Sequence, residues 1–198
     1  TGGKVASRHG GNDTIVRYNL FKDQAYNSYN DSGEFIQYGE DKPAVNIGAI
    51  LENNLFINAE GPCIEFHDNS GNNFNVEDVI ILNNFFYNCG YDPNNDQNLY
   101  AVFKIEDKFD SNDDIRSNIF KNNIVYIPGQ PSSTVVVNMG CNRSGVDCDY
   151  NLTLGQFNAR SGQGNPAHDI SSNQYGDPGF VNLTGGNYHI ASVASIAV

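Results

Sequence analysis

The chain has no tryptophan, one methionine and few cations: 11 Lys and Arg face 23 Asp and Glu among 198 residues, a formal charge of -12. Each shortage excludes something. Nucleic acid needs clustered Lys and Arg against its phosphates, so it is not expected as a partner. The same deficit opposes an unaided grip on polyanionic sugars. Without Trp the largest flat platform for sugar stacking is missing. No apolar run approaches the ~18 residues of a membrane span, so no membrane-spanning segment is expected. A signal peptide is not visible either, although Thr1 is not an initiator Met, and earlier processing or trimming would account for that start.

What is present is a phrase that keeps returning. Ile80-Ile81-Leu82-Asn83-Asn84-Phe85-Phe86-Tyr87-Asn88 has close copies in Ile50-Leu51-Glu52-Asn53-Asn54-Leu55-Phe56-Ile57-Asn58 and Ile119-Phe120-Lys121-Asn122-Asn123-Ile124-Val125-Tyr126. Val16-Arg17-Tyr18-Asn19-Leu20-Phe21 and Asp149-Tyr150-Asn151-Leu152-Thr153-Leu154 are looser copies. The second residue of the central pair is Asn at 19, 54, 84, 123 and 151, in steps of 35, 30, 39 and 28. Self-similarity at such periods is the signature of a stacked repeat array. Each copy is short, β-branched and aromatic, and bounded by turn residues, which reads as a strand. The Asn pair turns the chain, because Asn tolerates the left-handed backbone region. An inward asparagine ladder follows from the invariance of its second member. The expected fold is all-β: a parallel β-solenoid of about five coils with loops of variable length, one domain over residues 1–198 that belongs to a longer chain or assembly.

These repeats resemble the right-handed parallel β-helix proteins of the pectate-lyase-like superfamily, over nearly the whole chain. Residues 155–198 resemble the closing segment of many secreted members, through Gly176-Asp177-Pro178-Gly179-Phe180-Val181-Asn182, Gly185-Gly186-Asn187-Tyr188-His189-Ile190 and Ser195-Ile196-Ala197-Val198. The usual ending has Pro where Ile196 stands and an Asp after the last aliphatic residue. The resemblance implies a right-handed β-helix outside the cell and a polysaccharide or other glycan as partner. Lyases of the superfamily use a Lys, Arg, His or Tyr base with Ca²⁺ or a basic group on the uronate; its hydrolases use clustered Asp. This chain matches neither pattern in full, and no catalytic residue follows from the resemblance. The superfold also serves adhesins and structural proteins.

Four cysteines allow three pairings. Cys141 and Cys148 bracket a short Gly-containing loop suited to a local bridge. Cys63 and Cys89 lie about one coil apart, offset by some four residues, and read as either two buried thiols or a second bridge. An even count in this composition favours an oxidising, extracellular compartment. Five N-x-Ser/Thr sequons begin at Asn12, Asn30, Asn142, Asn151 and Asn182. Asn151 holds a ladder position, which leaves Asn30 and Asn142 as the foremost glycosylation candidates, with Asn12 and Asn182 after them.

The strands preceding the repeats align as Val5–His9, Ile36–Glu40, Ile64–Asp68 and Phe103–Asp107. Alternation puts Val5, Ile36, Ile64 and Phe103 inward with Ser7, Tyr38, Phe66 and Ile105. The outward rows are then Ala6/Gln37/Glu65/Lys104 and Arg8/Gly39/His67/Glu106. His9, Glu40, Asp68 and Asp107 end the strands in a column with a spacing of about 4.8 Å. Stacked carboxylates repel, so a cation, a shared proton or a substrate should neutralise them. Glu40, Asp68 and Asp107 are therefore the candidate Ca²⁺ ligands. Glu65, His67, Asp68, Glu106 and Asp107 are the candidate catalytic residues, the carboxyls as acid and base and His67 as a base near neutral pH. A structural role for the same residues is the bland alternative.

Three functions compete on this reading. The first is a carbohydrate-associated β-helix, a polysaccharide lyase or glycoside hydrolase if it is an enzyme, with a glycan laid along the sheet of Glu65, His67, Lys104 and Glu106. The second is a structural or adhesive protein whose uncapped solenoid ends self-associate into a filament. The third is a glycan-binding module of a larger protein.

Overall fold

Strands that must stop every few residues need corners, and the sequence supplies them at a spacing of five. Left-handed backbone occurs at Asp13, Tyr18 and Asp23, at Gly48, Asn53 and Asn58, at Asp78, Asn83 and Asn88, and at Ser117 and Asn122, with Tyr150 beyond. Asn, Asp and Gly enter this region at little cost. The computed structural model describes residues 7–9, 13–24, 35–39, 45–67, 75–89, 102–105, 115–126, 146–154, 174–175, 179–182 and 185–190.

Among these residues there are strands and no helix. They are β1 (Ser7–His9), β2 (Ile15–Arg17), β3 (Leu20–Gln24), β4 (Ile36–Gly39), β5 (Val45–Ile47), β6 (Ile50–Glu52), β7 (Leu55–Ala59), β8 (Ile64–His67), β9 (Asn75–Glu77) and β10 (Ile80–Leu82). There follow β11 (Phe85–Cys89), β12 (Phe103–Ile105), β13 (Ile115–Arg116), β14 (Asn118–Lys121), β15 (Ile124–Tyr126), β16 (Val146–Asp147), β17 (Leu152–Leu154), β18 (Gln174–Tyr175), β19 (Phe180–Asn182) and β20 (Asn187–Ile190).

Four parallel sheets hold the repeats, ordered β16-β14-β10-β6-β2, β18-β17-β15-β11-β7-β3, β1-β4-β8-β12 and β13-β9-β5. From β2 to β13 the chain visits the five-, six-, four- and three-stranded sheets in that order, three times over. Equivalent residues of successive repeats are register partners: Ile15, Ile50, Ile80 and Ile119 in one row, Phe21, Phe56, Phe86 and Val125 in another. Stacking like on like lines up the rings. Phe21, Phe56 and Phe86 stack with successive centroids 4.9 Å apart, as do Tyr38 and Phe66. The core runs between the sheets as Val16, Leu51, Ile81 and Phe120 beside this aromatic column, with Ile36, Ile64 and Phe103 opposite.

The asparagine ladder runs through every repeat. The Oδ1 of Asn54, Asn84, Asn123 and Asn151 accepts the main-chain N–H and an Nδ2–H of the Asn one repeat earlier, at 2.9–3.2 Å. Each Nδ2 of Asn54, Asn84, Asn123 and Asn151 also donates backward, to Val16, Leu51, Ile81 and Phe120 O respectively. Asn54, Asn84 and Asn123 therefore use both lone pairs and both amide hydrogens, so these buried side chains carry no unmet demand. Asn118 makes the same kind of bond one corner earlier, accepting from Val79 N and donating to Val76 O. A third line runs the other way: Asn88 Nδ2 donates to Asn58 Oδ1, and Asn58 Nδ2 to Asp23 Oδ1.

Cys63 and Cys89 are joined and fully buried, with Cα atoms 5.6 Å apart. Cys89 ends β11 in register with Ala59, and residues 60–63 turn the chain from β7 into β8, which closes the offset of four. Cys148 is also disulfide-bonded; Cys141 lies outside the described residues. Near the C terminus, β18 extends the six-stranded sheet beside β17. The antiparallel pair β19–β20 lies on the outside of that sheet, with Phe180 and Tyr188 packed on Phe85 at 4.9 and 5.6 Å between centroids.

Candidate functional site

The residues singled out for chemistry belong to the four-stranded sheet. Ile36 pairs with Ile64 and Phe103, Gln37 with Glu65 and Lys104, and Tyr38 with Phe66 and Ile105, as the alternation predicts. The first strand is different. Ser7, not Val5, faces Ile36, so Arg8 stands beside Gln37 and His9 beside Tyr38. A slip of two residues preserves which side chains face in, so the hydrophobic pattern could not detect it. His9 therefore does not belong to the expected end column.

The row Arg8, Gln37, Glu65, Lys104 is thus a cation, an amide, an acid and a cation on adjacent strands. Gln37 and Glu65 were expected on an open outer face, yet they are only 6% and 3% exposed. Both sides of β4 and β8 are covered, because Ile36, Tyr38, Ile64 and Phe66 are fully buried as well. Gln37 Nε2 donates to Glu65 Oε2 at 3.4 Å, while Gln37 Oε1 is buried with no hydrogen-bond partner among the described residues. An unpartnered acceptor in such a place is costly, about 1–3 kcal/mol. Beside this row, Gly39 is the register partner of His67, so the neighbouring strand presents no side chain there.

Asp68, Glu106 and Asp107 of the catalytic set, and Glu40 of the metal set, lie outside the described residues, as do Asn12, Asn30 and Asn142. Among the described residues no group of three or more His, Cys, Asp or Glu gathers in a way that could hold a metal ion. Asn182 is exposed, and its Oδ1 accepts from Gly185 N at 2.9 Å. Asn151 is buried in the ladder, where a glycan could not be attached without breaking it.

Charged residues that the sequence reading passed over form ion pairs between repeats. Arg116 bonds the buried Glu77 at 2.7 Å across the three-stranded sheet, and Arg17 meets Glu52 at 3.1 Å. Lys121 pairs with Asp147, and this hydrogen bond holds its ammonium above the usual lysine range. The signal for them was available once the strands were aligned, since Arg17/Glu52 and Glu77/Arg116 are register partners.

Comparison with protein-family models, curated proteins and solved structures finds no match to this chain. Among the described residues no helix is long and apolar enough to cross a membrane.

Proposed function

We propose that the chain is a right-handed parallel β-helix of about five coils that works outside the cell in association with carbohydrate. Support for the helix comes from the repeated circuit through four parallel sheets in one order, and crossovers between parallel strands are almost always right-handed. Paired cysteines support an oxidising compartment. The observation that carries the glycan reading is the register row Arg8, Gln37, Glu65 and Lys104, which sets an amide and a buried carboxylate between two cationic residues on adjacent strands. Positions 65 and 67 share a face of a period-two strand, about 7 Å apart. An acid at position 65, a His at 67 and a Lys at 104, the register partner of 65, suit either of two reactions. In β-elimination, His67 takes the proton from the carbon next to a uronate that Lys104 neutralises, the C=C bond forms as the glycosidic C–O bond breaks, and the leaving oxygen is protonated from solvent. In hydrolysis, Glu65 and a second carboxyl from Asp68, Glu106 or Asp107 act as acid and base, one protonating the leaving oxygen while the other directs water to the anomeric carbon.

The test is turnover on a polysaccharide panel, reading unsaturated products for elimination and new reducing ends for hydrolysis, with Ca²⁺ or with chelator. Ca²⁺ held by Glu40, Asp68 and Asp107 is part of this proposal, and a chelator-sensitive rate is its expected mark. Glu65→Gln and His67→Ala should each lower turnover at least 100-fold. If the wild type turns over and binds nothing on the panel, the carbohydrate reading fails; activity that both variants retain moves the chemistry off this sheet.

A structural reading has its own observation. Among the described residues β2 and β3 are edge strands, and Ile15, Tyr18 and Leu20 on and between them are 56%, 75% and 61% exposed. Among the described residues nothing donates to Asn19 Oδ1, the first rung of the ladder. Such an edge is a template for another chain. Filaments in electron micrographs of the native protein, lost in Leu20→Glu, are expected if this edge is the function; a dispersed monomer at all concentrations rejects it.

A further inference from the structure

The outer face of the six-stranded sheet carries a second apolar layer. Leu20, Leu55, Phe85, Ile124 and Leu152 form one register row, and Lys22, Ile57, Tyr87, Tyr126 and Leu154 the next but one. The β19–β20 hairpin covers the middle of this face through Phe180 on Phe85 and Tyr126, and Tyr188 on Phe85 and Tyr87. It does not cover the earlier repeats equally, since Leu20 stays 61% exposed. Where the cover ends there is an open cavity of about 490 Å³, lined by Leu55 from the sheet and by Gly186, Asn187, Tyr188 and His189 from the hairpin.

The lining has a particular chemistry. Leu55 and Tyr188 supply an apolar floor and an aromatic ring, and the ring is held in place by Phe85 and Tyr87 behind it. Asn187 Oδ1 accepts the main-chain N–H of His189 at 3.2 Å, which fixes the amide and leaves its Nδ2 hydrogens to donate elsewhere. The His189 imidazole is exposed and adds a second polar group. At Gly186 an added Cβ would meet nothing within 4 Å, so the main chain there borders open space. The volume lies within the range of ligand cavities, and the lining sets one aliphatic and one aromatic side chain beside two polar ones.

We propose that this cavity is a subsite for one neutral sugar residue, distinct from the Gln37–Glu65 row. A pyranose offers an apolar face for Tyr188 and Leu55 and hydroxyls for Asn187 and His189. Neutrality follows from the charges. None of the described lining residues is Lys or Arg, and the chain as a whole carries -12, so a uronate or phosphate would enter against the field. The inference rests on the carbohydrate reading above and narrows it to glycans that carry at least one neutral residue.

The experiment is NMR titration of the whole protein with cello-, xylo-, manno- and galacto-oligosaccharides, with a uronate oligomer as contrast, followed by affinity measurements on Asn187→Ala and His189→Ala. The subsite predicts amide shifts at Gly186 and His189 for a neutral oligomer, and at least tenfold weaker binding in each variant at an unchanged melting temperature. Shifts confined to other residues, or neutral binding that both variants keep, overturn the subsite while the carbohydrate reading stands. Preference for the uronate overturns the claim of neutrality. No shift with any sugar removes both the subsite and the reading on which it rests. Mapping the shifts on the wild type keeps the test decisive if a variant loosens the hairpin.

Discussion

Replacing Asn84 by Ala removes four hydrogen bonds at once. Asn54 N and Nδ2 lose their shared acceptor, and Leu51 O and Asn123 Oδ1 each lose a donor. All four partner groups are buried with Asn84, which is 2% exposed. Net hydrogen bonds of this kind contribute about 0.5–1.5 kcal/mol each, and a stranded buried partner costs about 1–3 kcal/mol. Asn123 Oδ1 keeps a lone pair occupied because it still accepts from Asn84 N. The two Asn54 donors have no such reserve, so the expected loss is about 4 kcal/mol, or about 8–16 °C in melting temperature for a chain of this length. The internal control is Asn19→Ala, at the exposed end of the same ladder. There only the two Nδ2 bonds disappear, and the exposed groups recover water, so a loss of about 1 kcal/mol or less is expected. Denaturant unfolding measures both, with the slope required to stay constant. Amide exchange adds a local readout: Asn54 N–H should lose protection in Asn84→Ala. Equal destabilisation by the two substitutions, or a loss below about 1 kcal/mol for Asn84→Ala, would refute the ladder as the source of the stability.

Cys63→Ser with Cys89→Ser frees a loop set by a separation of 26 residues, and loop entropy gives a loss of about 3.5 kcal/mol; calorimetry showing no change would contradict it. Burial pushes the Tyr38 phenol well above its usual range; burial and then Tyr188 raise Tyr87, and the Asp147 hydrogen bond raises Lys121. Folded pKa values above the unfolded ones give stability that is full below about pH 10 and is lost as pH rises beyond it, because the unfolded chain releases protons that the fold retains. Melting temperatures recorded from pH 8 to 11 should be flat and then fall; a rise through pH 11 would break this reasoning. At the corners, Asn83 has φ 55°, so Asn83→Gly should be nearly neutral and Asn83→Val should cost about 1–2 kcal/mol. Equal midpoints for these two variants would count against a left-handed corner.

The repeats were legible because each strand stacks on its own copy, so one phrase recurs wherever a ladder Asn is needed. The inner rows and the register of β4, β8 and β12 followed from alternation. Other features were harder to read. The corners at five-residue spacing use Asp, Gly, Ser, Asn and even Tyr, so conformation repeats where residue type does not. The two-residue slip of β1 leaves the inside–outside pattern intact, which hid the placement of Arg8 beside Gln37. Alternation assigned Glu65 and Gln37 to an outer face but could not tell that the face is covered. The Tyr188–His189 cavity depends on a hairpin folding back over a sheet about a hundred residues earlier in the chain, which no local pattern encodes.

The most direct test of the parallel stacked repeats is a nuclear Overhauser spectrum of protein labelled at Asn and Ile. Side-chain amide protons of Asn54 should lie close to those of Asn84, and those of Asn84 to those of Asn123. Ile50, Ile80 and Ile119 should show the main-chain contacts of parallel neighbours. All of these amides should exchange slowly. Antiparallel contacts among the three Ile strands, or Asn amides exchanging as fast as those of an unfolded peptide, would contradict the account at its centre.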